Sequence, residues 1–87
     1  MTCKIERLVG SEHIGMLRVC GHIRAEHLST IEDLVASENG QVVLDLGEVT
    51  LVDRDVVRYL AGCERRGIAL SNCPPFVREW VSKEQLP

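Results

Sequence analysis

Aromatic side chains are nearly absent. Tyr59, Phe76 and Trp80 are the whole set, 3% of 87 residues. The core must therefore be built from Val, Leu and Ile, and there is no row of rings on which bases stack. An excess of positive charge is lacking too. The net charge is −3, and Lys and Arg are scattered along the chain rather than gathered in a stripe. Together these two features remove nucleic acid from the expected partners. No apolar run approaches the ~20 residues that a membrane-spanning helix needs. The opening "MTCKIERLVG" also lacks the apolar centre of a signal peptide. The expectation is a soluble cytoplasmic protein with no membrane insertion.

Paired metal-ligand spacing is also missing. Cys3, Cys20, Cys63 and Cys73 form no CxxC, and without a sign of secretion they are expected as reduced thiols. Cys20 and His22 would share one face of a strand, with His27 close behind, but no second pair completes a ligand set. No metal and no cofactor are expected. Cys73 stands before a helix start, where the dipole can lower a thiol pKa. The simpler reading is a small buried hydrophobe. His13, His22 and His27 read most simply as surface residues.

What is present is a regular alternation of patterns over a single domain, residues 1–87. "CKIERLVG" alternates weakly and reads as a strand ending at Gly10. "IGMLRVCGHI" puts Leu17, Val19, Gly21 and Ile23 on one side and Arg18, Cys20 and His22 on the other, a half-buried strand. From Arg24 to Asn39 the period becomes helical, with Ala25, Leu28, Ile31, Leu34 and Val35 on one face. Asn39-Gly40 is the stop. "QVVLDL" is a short apolar run, expected as a central strand covered on both faces. An acidic turn follows, with Asp53 as the N-cap of the next helix. Val56, Val57, Leu60 and Cys63 form that helix's apolar face, and Gly67 ends it. "IALSN" is a last strand. Pro74-Pro75 opens a last helix, with Phe76, Val77, Trp80 and Val81 as its buried stripe.

This order predicts an α/β fold. A small mixed sheet of about four strands opens with an antiparallel hairpin and continues in β-α-β units, with about three helices packed on it.

Two stretches of the chain resemble the STAS domain, shared by sulfate transporters and bacterial anti-sigma factor antagonists. "LRVCGHIRAEHL" is similar to that family's LxLxGxIDxxxL. "VVLDLGEVTLVDRD" is similar to its VVLDLSGVxxIDSSGL signature. "RRGIALSNCPPFVREWV" fits the family's last strand and helix, so the likeness covers nearly the whole chain. The resemblance implies a non-catalytic protein-interaction module whose partner is a kinase-like anti-sigma factor. In partner-switching members that kinase phosphorylates a serine near the second helix start. Here the family's "DSSG" falls on Asp53, Arg54, Asp55 and Val56, so Asp55 occupies the phospho-acceptor position and no hydroxyl is there. Thr50 is the nearest hydroxyl upstream. The partner surface implied by the resemblance comprises Thr50, Asp53, Arg54, Asp55 and Arg58, with His22, Arg24 and His27 at the neighbouring helix start.

Each of these residues also has a plainer role. Asp55 in a first helical turn favours the helix dipole whether or not it mimics a phosphoserine, for which its single charge is only a partial match. An exposed Arg54 beside Asp55 or Glu48 makes an ion pair of little consequence. Two alternatives stand beside the first reading. One is a small STAS subunit of a lipid- or solvent-handling ABC transporter. The other is a metal-dependent phosphoryl-chemistry enzyme built on Asp45, Glu48, Asp53 and Asp55. Against the second, the chain shows no nucleophile with its base and no phosphate-cradling glycine loop. A monomer or weak homodimer is expected.

Overall fold

A computed structural model describes residues 3–8, 14–38 and 41–85. The turn containing His13 and the Asn39-Gly40 stop lie outside the described residues.

The strands are β1 (Cys3–Leu8), β2 (Ile14–Ile23), β3 (Gln41–Val52) and β4 (Ala69–Ser71). The helices are α1 (Leu28–Ala36), α2 (Arg54–Arg65) and α3 (Pro75–Glu84), and a 3-10 turn over Ala25–His27 leads into α1. The strands form one sheet in the order β1-β2-β3-β4. β1 and β2 are antiparallel, and β2-β3 and β3-β4 are parallel. The expected mixed α/β architecture is therefore the observed one.

Register assigns the two faces of the sheet. Ile5 faces Val19, Leu17 faces Leu44, and Leu44 faces Leu70, so these side chains share one side. Leu17, Val19, Leu44 and Leu46 are buried there, against Ile31 from α1, Val56, Val57 and Leu60 from α2, and Val77 and Val81 from α3. The opposite side carries the row Glu6, Arg18, Asp45 and Ser71. β3 is therefore not covered by apolar groups on both faces. Val43 is only half-buried, and the enclosed Asp45 is held by polar partners. Its Oδ1 accepts hydrogen bonds from the Gly47 amide at 3.0 Å and from Asn72 Nδ2 at 3.3 Å, and its Oδ2 lies 3.5 Å from Arg18 Nε.

β3 runs six residues past the apolar run that announced it, because two irregularities rephase its side chains. Register shifts fall between Arg18 and Cys20 and between Gly21 and His22 of β2, each opposite an extra residue of β3. Every extra residue reverses which parity of side chain faces the core. The buried apolar positions of β3 accordingly run Val42, Leu44, Leu46, then Val49, then Val52. Spacings of two become spacings of three, and "GEVTLV" stays in the sheet although its sequence does not alternate. Gly21, at φ +86°, supplies the left-handed backbone at the second shift.

Two further expectations are corrected. The first helical segment begins as a 3-10 turn in which Ala25 is exposed, and only Ile31 of its apolar face is fully buried. A polar side chain, His27, bonds the Arg24 amide and holds that turn, so Ala25 faces water. On α3, Phe76 is 46% exposed, while Val77 and Val81 are enclosed and Trp80 is half-buried against the core. In an 87-residue chain the space under α3 is filled by two valines and a partly buried indole. The C-terminus of α2 follows its expectation. Gly67 (φ +91°) and Ile68 send their amides back to the carbonyls of Glu64 and Cys63, at 3.0 and 2.9 Å. This pair of bonds closes the helix in a Schellman motif.

Candidate functional site

β2 and β3 are parallel, so their carboxyl ends lie side by side: His22 is opposite Leu51 and Ile23 opposite Val52. Each strand leads directly into a helical turn. Two helix starts thus open at one edge of the sheet, the edge where parallel α/β sheets place their binding groups. His22, Arg24, His27, Thr50, Asp53, Arg54 and Asp55 all belong to these two strand-to-helix passages.

The tie between the passages is Asp53. Its backbone amide donates to Ile23 O at 3.1 Å. Its carboxylate receives His22 Nε2 on Oδ1 at 3.1 Å and the Ala25 amide on Oδ2 at 3.3 Å. An ionised carboxylate only accepts, so His22 Nε2 carries the proton. Asp53 occupies the N-cap position of α2, but its side chain makes no capping bond to that helix. It caps the neighbouring turn instead, with Ala25 as that turn's first residue. The hydrogen bond from His22, then the Ala25 amide and the nearby charges of His22 and Arg24, hold the Asp53 carboxyl below the usual range.

His22 is correspondingly not a surface residue; its side chain is 15% exposed. His27 supports the same turn from the other side, its Nδ1 accepting the Arg24 amide at 2.9 Å while its own amide donates to Arg24 O at 2.9 Å. This closure explains how the turn starts without Ser, Thr or Asp at position 24.

Thr50, Arg54 and Asp55 are exposed around this framework. Neither Arg54 nor Asp55 makes an ion pair or side-chain hydrogen bond among the described residues. The amides of the first turn of α2 likewise have no side-chain acceptor there. Arg58 does not join them: its Nε donates to Glu84 Oε1 of α3 at 3.2 Å. The sequence-derived set is therefore three groups. Asp53, His22, Arg24 and His27 build the framework, Thr50, Arg54 and Asp55 are presented on it, and Arg58 clamps α2 to α3. Sequence reasoning missed Leu51, which is 50% exposed between Thr50 and the enclosed Val52. Its signal was faint, because an apolar residue beside a buried one reads as core until the strand's phase is known.

The acids do not converge. Asp45 is committed to Gly47, Asn72 and Arg18, and Asp53 to His22 and Ala25. Among the described residues, no group of three or more His, Cys, Asp or Glu is placed to hold a metal ion. At Cys73 burial pushes the thiol pKa up, the opposite of the shift that a helix start can impose. No described helix is long and apolar enough to cross a membrane.

No family model matches this chain, and no curated protein matches it.

Proposed function

We propose that this protein is a non-catalytic protein-interaction module of the STAS type, an anti-sigma-factor-antagonist-like regulator in bacterial signalling. Its partner would be a kinase-like anti-sigma factor. The observation that carries the reading is the pairing of two helix starts across the His22–Asp53 hydrogen bond, with Arg54 and Asp55 exposed beside it. A surface that reads a partner needs rigid backbone beneath groups free to make new bonds. Here the framework residues are mutually bonded and the presented ones are not. Leu51, half exposed beside Thr50, adds an apolar group to an otherwise polar and charged set.

With a carboxylate at position 55, binding at this face is constitutive. No hydroxyl stands there to be phosphorylated. The test is titration of the protein against kinase-like anti-sigma factors encoded beside it, by calorimetry. Binding that weakens at least tenfold in Arg54→Glu, with Arg65→Glu unaffected, supports the reading. Absence of binding to every such protein, or equal weakening by both variants, rejects it.

A further inference from the structure

We infer that the outer edge of β1 is a self-association surface, pairing antiparallel with β1 of a second copy about a two-fold axis centred on Ile5. β1 lies at one end of the sheet, and no described strand pairs with its outer side. It offers six residues of backbone, whereas β4 at the other end is only three residues long and makes a poor template.

Side-chain phase restricts the possible registers. A two-fold axis perpendicular to the sheet keeps the core faces of both copies on one side, so the axis must pass through a residue. Centring on Lys4 sets lysine against lysine. Centring on Glu6 sets glutamate against glutamate. Centring on Arg7 sets arginine against arginine. Only the Ile5 register places Lys4 opposite Glu6 of the second copy, twice by symmetry, with Ile5 opposite Ile5 and Cys3 opposite Arg7. Directly opposed side chains in an antiparallel pair are in contact, and opposite charges there attract.

The charges are available for this pairing. Lys4 Nζ lies 3.6 Å from Glu6 Oε1 of its own strand, with the two side chains 71% and 39% exposed, so the pair can be shared with a neighbour. Arg7 does not compete, because it is turned onto Glu38, with Nε–Oε1 3.3 Å and Nη2–Oε2 3.2 Å. Charged edges block pairing with unrelated strands. This edge alternates in sign on one face, so it blocks strangers and accepts a copy of itself. Six residues a side is far below the ~20–30 of a standard interface, so the dimer is weak and forms at high protein concentration.

The test is sedimentation equilibrium of the wild-type chain up to high micromolar concentration, alongside amide shifts followed on dilution. The expected mass rises from 9.7 kDa toward twice that value. The expected concentration-dependent shifts concentrate in Cys3–Leu8. Lys4→Glu and Glu6→Lys should each stay monomeric, and mixing them should restore association, because both opposed pairs become complementary. Glu6 faces Arg18 across β1 and β2, so Glu6→Lys also risks the fold. The exposed Lys4 then decides alone, with Lys4→Glu weakening association more than Lys4→Gln. A constant single-chain mass, shifts centred on Arg54 and Asp55, or Lys4→Glu associating like wild type would each overturn the inference.

Discussion

The imidazole of His22 and the carboxylate of Asp53 lie 3.1 Å apart and join the ends of two parallel strands. The second carboxylate oxygen holds the Ala25 amide at 3.3 Å, so one side chain sets the relative position of both helix starts. Asp53→Ala should therefore disturb residues 24–28 more than α2 itself. Amide shifts and hydrogen exchange measure this. A change confined to the first turn of α2 would show Asp53 acting as an ordinary cap of its own helix.

Gly21 carries the left-handed backbone at the register shift beside His22. Gly21→Ala should lower stability by about 1–3 kcal/mol, the cost of holding an L-residue in a sparsely populated backbone region. It should also shift the His22 ring resonances, because His22 follows directly. Urea unfolding indistinguishable from wild type would contradict this account.

Acid should destabilise the fold. The Arg78 guanidinium, with Nη1 and Nη2 at 2.8 and 2.7 Å, and then Gln85 hold the Glu64 carboxyl below its usual range. The Gly47 amide, then Asn72 and Arg18, do the same for Asp45. Asp53 is lowered by His22 first. With depressed carboxyls, the native state binds fewer protons in acid than the unfolded chain, so lowering the pH favours unfolding. Their contribution is complete above the unfolded values of about 4 and is lost as pH falls through the lower native ones. Melting temperature should be nearly flat from about pH 7 to 5 and fall below about 4. Glu64→Gln should flatten that fall. A melting temperature that rises on acidification would refute the assignment.

Phe76 and Trp80 should differ although they stand one helical turn apart. Phe76→Ser should change stability by less than about 0.5 kcal/mol, as exposed substitutions do. Trp80→Ala should lose roughly half of the ~3–5 kcal/mol that a fully enclosed Trp loses, since only part of the ring packs on the core. Chemical denaturation of both variants reads the difference directly.

At position 55, serine restores the hydroxyl that the resemblance leads one to expect. In a first helical turn Asp55→Ser should lower stability by less than about 1 kcal/mol. If Asp55 mimics a phosphoserine, affinity for a kinase-like anti-sigma factor should increase, and the variant should become a phosphorylation substrate. Radiolabel incorporated into the wild-type protein at Thr50 or Ser71 would contradict constitutive binding.

Local pattern determined much of this protein. The two-residue period of Leu17, Val19, Gly21 and Ile23 was legible because β2 is buried on one face only, so its side chains alternate between oil and water. The stripe of Val56, Val57, Leu60 and Cys63 and the stop at Gly67 were legible because a helix repeats within its own sequence and ends on its own backbone. Tertiary structure decided what depends on a neighbouring segment. "GEVTLV" is strand only because β2 runs beside it and absorbs two extra residues, and no local period records that. The acidic residues around 53 marked the passage from β3 to α2. The direction of the Asp53 side chain, however, depended on His22, 31 positions away in sequence. A capping bond to α2 and a bond across the sheet use the same carboxylate. The parallel pairing of β2 and β3 brings the His22 ring and the Ala25 amide within reach, and their two hydrogen bonds draw it away from its own helix.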